Sequence, residues 1–278
     1  MKLGIIGTGN MGTILIQSLI EGAAVSPEDL LITNRTIEKA FKLKAEYPEV
    51  HIVRTAVEVT KNTDIIFVCI KPLDIYPLLE DLKDELSPDQ CLVSITSPVT
   101  VEQIESVVPC HVIRVIPSIV NRSLSGSTLV TFGKRCGEQK KKQLLDILKK
   151  FSTPVCIEEN VTRVASDICS CGPAFFSYLL ERFIQGAVQE TEISREQATQ
   201  LTSDMIIGLG KLLEKNIYTL SGLKEKVTVK GGVTGVGLNV LESGIGEVFE
   251  HLFQKTQEKF KEDHLYVDKQ FGIIKDGK

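Results

Sequence analysis

The sequence predicts an α/β fold, a doubly wound parallel sheet at the N-terminus followed by an all-helical C-terminal domain. Three observations carry that expectation. Short apolar runs alternate with helical periodicity over residues 1–160, the βαβ pattern of a parallel sheet. Glycines at 7, 9 and 12 stand between the first apolar run and the first helix, on G-x-G-x-x-G spacing. Beyond Val161 the strand-like runs stop and only helical periodicity remains.

Leu3, Ile5 and Ile6 make the first strand, and Thr13 to Ile20 continues at helical period. Between them lie Gly7, Thr8, Gly9, Asn10, Met11 and Gly12. The three glycines suit a tight turn, room for a pyrophosphate beside the backbone, and close packing of helix on strand. The helix start offers free N–H groups to the phosphates. Strand before and helix after is the context that makes this a Rossmann-type dinucleotide loop, with all six residues as candidate cofactor contacts.

The second strand, Leu30 to Thr33, ends in Asn34-Arg35. An NAD site usually places an acid here to hold the ribose hydroxyls. A neutral residue followed by arginine favours the 2′-phosphate of NADP instead, with NAD still open. Asn34 also suits the cap of a helix beginning near Ile37. A short third strand covers His51 to Arg54, and a fourth runs from Asp64 to Ile70 into Lys71-Pro72. Cys91 to Thr96 ends in Ser97-Pro98, and Val112 to Ile116 ends in Pro117-Ser118. Carboxyl ends of such strands face the ligand crevice, which adds Cys69, Lys71, Pro72 and Pro117 to the candidate cofactor residues. Each proline taken singly is equally a strand terminator. Helices are expected near 38–47, 74–83 and 100–107, and extra strands at Leu129 to Phe132 and Val155 to Ile157 flank a helix from Glu138 to Phe151.

The second domain is expected over residues 161–262. Pro173 to Ile184 is apolar nearly all round, as in a helix buried between partners. Ser194 and Gln197 form a capping box. After Gly231-Gly232-Val233-Thr234, one helix is expected to about Phe260. Glycines at 235, 237, 244 and 246 weaken that helix, and close approach by another backbone or a ligand is the reason expected for them. So much apolar helix implies completion by a second copy, a homodimer or higher homo-oligomer. Residues 263–278 read as a loosely held polar tail.

Hydrophobic residues make up 42% and charged residues 24% of the 278, enough for a substantial core. A net charge of −4 argues against nucleic acid as a partner. No apolar stretch approaches the roughly 20 residues that span a bilayer, so no membrane partner is expected. Seven scattered cysteines fit reduced thiols and a cytoplasmic location. Cys169 and Cys171 lack companion ligands at metal spacing, and no metal is expected.

Gly7 to Gly12, Asn34-Arg35, Val68-Cys69-Ile70-Lys71-Pro72, Gly172-Pro173-Ala174-Phe175, Val227 to Gly232 with Thr234, and Val240-Leu241-Glu242-Ser243-Gly244 together resemble the pyrroline-5-carboxylate reductase family. The resemblance covers about residues 1–260. It implies hydride transfer from NADP to a small cyclic imine in proline synthesis. It also implies that Val229, Lys230, Gly231, Gly232, Val233 and Thr234 bind the substrate, with Thr234 as the catalytic hydroxyl beside the ring nitrogen. By itself Thr234 would read as a plain N-cap.

The substrate side departs from the family's pattern. Val229-Lys230 stands where Ser-Pro is usual, and Cys169-Ser170-Cys171 stands where Ser-Gly-Ser is usual. Ile116-Pro117-Ser118 and Thr96-Ser97 replace Met-Pro-Asn and Ala-Gly. That profile is similar to the family's divergent late competence branch, which leaves a regulatory, non-catalytic alternative open. A β-hydroxyacid dehydrogenase would place a catalytic lysine on the long helix, and Pro173 to Ile184 has none.

Overall fold

β1 (Leu3–Ile6) occupies the middle of the sheet because its residues are apolar on both sides, and parallel strands are covered on both faces. In the computed structural model, which describes residues 1–273, Leu3 and Ile5 join one core and Ile6 the other. β2 (Leu30–Thr33) and β3 (His51–Ile52) extend the sheet on one side. β4 (Ile65–Val68), β5 (Cys91–Ser94), β6 (His111–Ile116), β7 (Ser127–Phe132) and β8 (Thr153–Cys156) extend it on the other. The eight strands run in the order β3-β2-β1-β4-β5-β6-β7-β8, so the connection reverses direction between β1 and β4. Every ladder is parallel except β6 with β7. The ten residues between those two strands are fewer than a parallel crossover needs.

On one face, α1 (Asn10–Glu21), α2 (Ile37–Glu46) and, later in the chain, the helix over Glu138–Leu148 bury Leu15, Leu43 and Leu144. On the other face, α3 (Ala56–Asn62), α4 (Pro72–Leu82) and α5 (Val101–Val107) bury Val59, Ile75 and Ile104. The Glu138–Leu148 helix is α6. α3 is a helix that periodicity missed. Its seven residues are too few to show a period, but the Thr55–Glu58 capping box that starts it is visible in the sequence. α2 is preceded by Thr36, not by Asn34, so Asn34 does not cap it.

α7 (Thr162–Ser166) leads through a π-turn, Asp167–Cys171, into α8 (Gly172–Glu190). α9 (Arg195–Glu214) starts at the expected Ser194 box. α10 (Leu220–Val227) and α11 (Val233–Ile245) follow. The single helix expected to Phe260 is broken, because Gly246 adopts φ +48° and ends α11. α12 (Val248–Gln270) begins two residues later. A Cβ at Gly237 or Gly244 would have nothing within 4 Å among the described residues, so no backbone there explains them.

Two compact units result: Met1–Pro173 with the chain from Lys255, and Ala174–Gln254. The first unit therefore runs past the expected limit at 160. Buried Arg114 on β6 holds Glu159 through two 2.8 Å bonds and Thr162 Oγ1 at 2.7 Å, tying the following segment to the sheet. Nor is the stretch from 263 a loose tail. α12 continues to Gln270, and Val267 is fully buried against the α4–α5 face, because Val267 and Phe271 are four apart on one side of a helix. Residues 274–278 of the expected tail lie outside the described residues.

Candidate dinucleotide cleft and imine loop

The carboxyl ends of β1, β2 and β4 open onto a cleft of about 1260 Å³ in the first unit. Gly7, Gly9, Asn10 and Met11 form its floor, with Asn34, Arg35, Cys69 and Lys71 along its sides. Eight of the expected cofactor residues, from three separate loops, therefore line one cavity. Thr8, Gly12 and Pro72 stand behind that lining. Pro117 belongs elsewhere on the sheet edge, where its carbonyl accepts a 2.8 Å bond from Ser170 Oγ and Ser118 Oγ donates to Cys169 O at 2.6 Å.

The three glycines do different things. Gly7 takes φ +104°, and a Cβ there would overlap the Cys69 carbonyl. A Cβ on Gly12 would overlap the Gly7 carbonyl, so Gly12 lets α1 start tight against the turn. Around Gly9 there is nothing within 4 Å. Gly9 faces open space, as a residue beside a pyrophosphate should. It is also the N-cap of α1, makes no side-chain cap, and has no acid in the turn that follows. Thr8 Oγ1 is buried with no hydrogen-bond partner, a polar atom awaiting an acceptor or donor from a ligand. These features fit a dinucleotide phosphate.

Asn34 fixes the loop instead of capping a helix. Its Oδ1 accepts from Thr8 N at 2.9 Å, and its Nδ2 donates to Thr36 O at 2.8 Å. Next to it Arg35 is exposed at the cleft mouth. Three further cations line the same cleft, Lys39, Lys44 and Arg54, none of them marked by a local motif. Arg54 follows the short β3, which pairs with β2 in parallel, and strand adjacency was the signal available for it. Glu58 accepts the N–H groups of Thr55 and Arg54 at 2.8 Å each, which holds its carboxyl below the usual range and fixes the turn that presents Arg54. With no acid at the end of β2, the mouth suits a phosphate better than a bare ribose.

Cys69 lines the side of the cleft next to the glycine turn. Burial pushes its thiol well above the ordinary range, so it stays protonated and acts as a small apolar surface. The ladder bond Cys69 N to Ile6 O, 2.8 Å, holds it against the glycine turn. No cluster of three or more metal-ligating side chains occurs among the described residues. No helix there is long and apolar enough to cross a membrane.

The second unit carries the loop from Val229 to Thr234. Gly231 takes φ +75°, and Gly232 N donates to Val229 O at 2.9 Å, making a tight turn into α11. Gly232 is the N-cap and makes no side-chain cap, so the first N–H groups of α11 are open to an anion. Thr234 is the second residue of the helix and is not its cap. Lys230 is exposed within that turn. The chemistry available is a cradle of N–H groups, one hydroxyl and one ammonium.

Comparisons with known proteins agree with this layout. Residues 159–263 match the family model for pyrroline-5-carboxylate reductase dimerisation, and residues 2–98 match the one described as NADP oxidoreductase, coenzyme F420-dependent. The chain is 52% identical to ComE operon protein 4 of Bacillus subtilis, across 98% of this chain and 100% of that one. It is 28% identical to pyrroline-5-carboxylate reductase 3 of the same organism, over 94% and 96% of the two chains. The crystal structure of Plasmodium falciparum pyrroline carboxylate reductase with NADP bound shares the fold, with TM-score 0.81 at 24% identity over 96% of this chain and 98% of that one.

Proposed function

The chain belongs to the pyrroline-5-carboxylate reductase family, in the branch of ComE operon protein 4, and on that premise we propose that it reduces pyrroline-5-carboxylate or a closely related cyclic imine with NADPH, as a homodimer. The observation that carries the cofactor part is the cleft mouth. Arg35 stands where an NAD enzyme has an acid, with Lys39 and Arg54 beside it. When bound, NADPH supplies the hydride. The chain's own residues do the rest. The free N–H groups at the start of α11, together with Lys230, hold the substrate carboxylate. The Thr234 hydroxyl hydrogen-bonds the ring nitrogen as the imine becomes an amine. An imine that arrives protonated needs no histidine or acid from the protein. The buried, protonated Cys69 contributes shape and not charge.

A second reading has one specific observation behind it. Val229 and Lys230 stand in the imine loop where the family's usual hydroxyl is absent, and the 52% identical relative carries an operon name, not a reductase name. In that reading the protein binds NADP and acts through another protein. Purified protein, NADPH and the imine separate the two. Cofactor oxidation that falls at least tenfold in Thr234→Ala supports the reductase. NADPH binding without turnover supports the second reading. Absence of NADPH binding refutes both.

A further inference from the structure

Pro77 lies inside α4 and has no N–H to give. The carbonyl left without its helical donor is that of Leu73, four residues earlier in the first turn. It is not left bare, because Gln270 Nε2 donates to Leu73 O across 3.1 Å. Next to this bond the Phe271 ring meets Tyr76 edge-on, with centroids 4.8 Å apart. Val267 is fully buried in the same patch. Asp268 Oδ1 accepts from Gln103 Nε2 at 2.7 Å, and Gln103 is the residue that closes the capping box of α5. The last turn of α12 thus grips the first turns of two helices, those that follow β4 and β5. All four gripping residues lie beyond 263, where the match to the dimerisation model ends.

The place gripped matters for the ligand. In a doubly wound sheet the two halves of a dinucleotide lie on opposite sides of the reversal point. Arg35, after β2, is on one side of β1, and α4, with Lys71 as its N-cap, is on the other. We propose that Gln270 is a positioning residue for the cofactor edge: it supplies the donor that Pro77 withholds, and so holds the turn at Lys71 in the form that receives the nicotinamide half. Phe271 and Asp268 keep Gln270 in register. The inference rests on the cofactor part of the proposed function and is independent of imine chemistry.

The test compares two ligands on the intact protein, NADPH by its fluorescence and adenosine 2′,5′-bisphosphate, which ends at the adenosine half, by calorimetry. Gln270→Leu weakens NADPH by about fivefold, the worth of one hydrogen bond, and leaves adenosine 2′,5′-bisphosphate unchanged. In a Pro77→Ala background, where α4 has its own N–H for Leu73, the same substitution costs nothing. Equal weakening of both ligands, no weakening of either, or a loss that persists with Pro77→Ala overturns the proposal. If Gln270→Leu melts early, Phe271→Leu is read in its place and must show the same contrast between the ligands. Hydrogen exchange on the cofactor-free protein adds a readout independent of binding. The amides of Tyr76 and Leu78 exchange faster in Gln270→Leu, and unchanged exchange there counts against the grip. Failure of the unaltered protein to bind NADPH sinks the cofactor reading itself, while binding indifferent to Gln270→Leu sinks only this proposal.

Discussion

The two units bury their apolar residues by opposite means. In the first, Phe67 and Leu92 are wholly enclosed by helices on both faces of the sheet. In the second, Phe183 on α8 is 64% exposed and Val236 on α11 is 66% exposed, with Phe176, Met205 and Val240 also open. Both units are rich in the same aliphatic side chains. What differs is whether one chain supplies both surfaces of the core. A sheet covered by its own crossover helices closes within the chain, whereas a few helices with apolar residues all round need another surface. That is the physical content of a dimerisation segment: its core is half-built.

Four measurements test that contrast. The largest effect is expected from Phe183→Asp. Symmetry places each substitution twice in a two-fold interface, so the proposed homodimer should weaken by roughly 4 kcal/mol or more, about a thousandfold in Kd. Sedimentation that still shows a dimer at micromolar concentration would mean this face is not the interface. Second, Arg114→Ala should cost about 3 kcal/mol in urea unfolding of the first unit, since it strands a buried hydrogen-bonded network. Glu159, its partner, is 44% exposed, so Glu159→Gln should cost much less. A dimer of unchanged affinity in Arg114→Ala would confirm that the units are separately stabilised.

Third, Arg35→Ala should weaken NADPH by about tenfold and NADH hardly at all, because one charge-assisted hydrogen bond is worth about 1.5–3 kcal/mol. Equal loss for both cofactors would remove Arg35 from the phosphate site and leave Arg54 and Lys39. The smallest effect is with pH. Burial pushes the Cys110 and Cys136 thiols up to about 11, above the ordinary 9.0. The unfolded chain then releases these protons first, so stability is flat below pH 9 and declines between about 9 and 11. Replacing both with alanine should lessen that alkaline slope in melting curves, leaving the part due to Cys69 and Cys91, whose thiols burial also raises. An undiminished slope would assign none of it to Cys110 and Cys136.

Much of the site was legible because its chemistry is local. The glycine loop, Asn34-Arg35 and Lys71-Pro72 are short stretches whose spacing reflects backbone geometry, and Gly7, Gly9, Asn10, Met11, Asn34, Arg35 and Lys71 from them line one cleft, while Thr8, Gly12 and Pro72 do not. Arg54 and Lys39 carry no local signal, because only strand pairing and helix facing put them on the same cleft. Asn34 suits a helix cap by its residue type, yet its amide goes to Thr8 and Thr36. The break at Gly246 escaped a reading based on periodicity, since apolar spacing continues across it while the backbone does not.

The class of the fold and the cofactor loop are legible in period and glycine spacing, because both arise between near neighbours in the chain. The packing of residues 263–273 is set only by contacts with elements distant in sequence. Polar residues from 263 onward suggest a tail, because composition counts side chains without regard to where they point. The folded chain selects Val267 and Phe271 from among them, since one faces a buried patch and the other an aromatic ring. A proline inside α4 creates a vacancy that a glutamine almost two hundred residues later can fill. No local pattern contains that pairing, because it exists only when two helices distant in sequence are packed side by side.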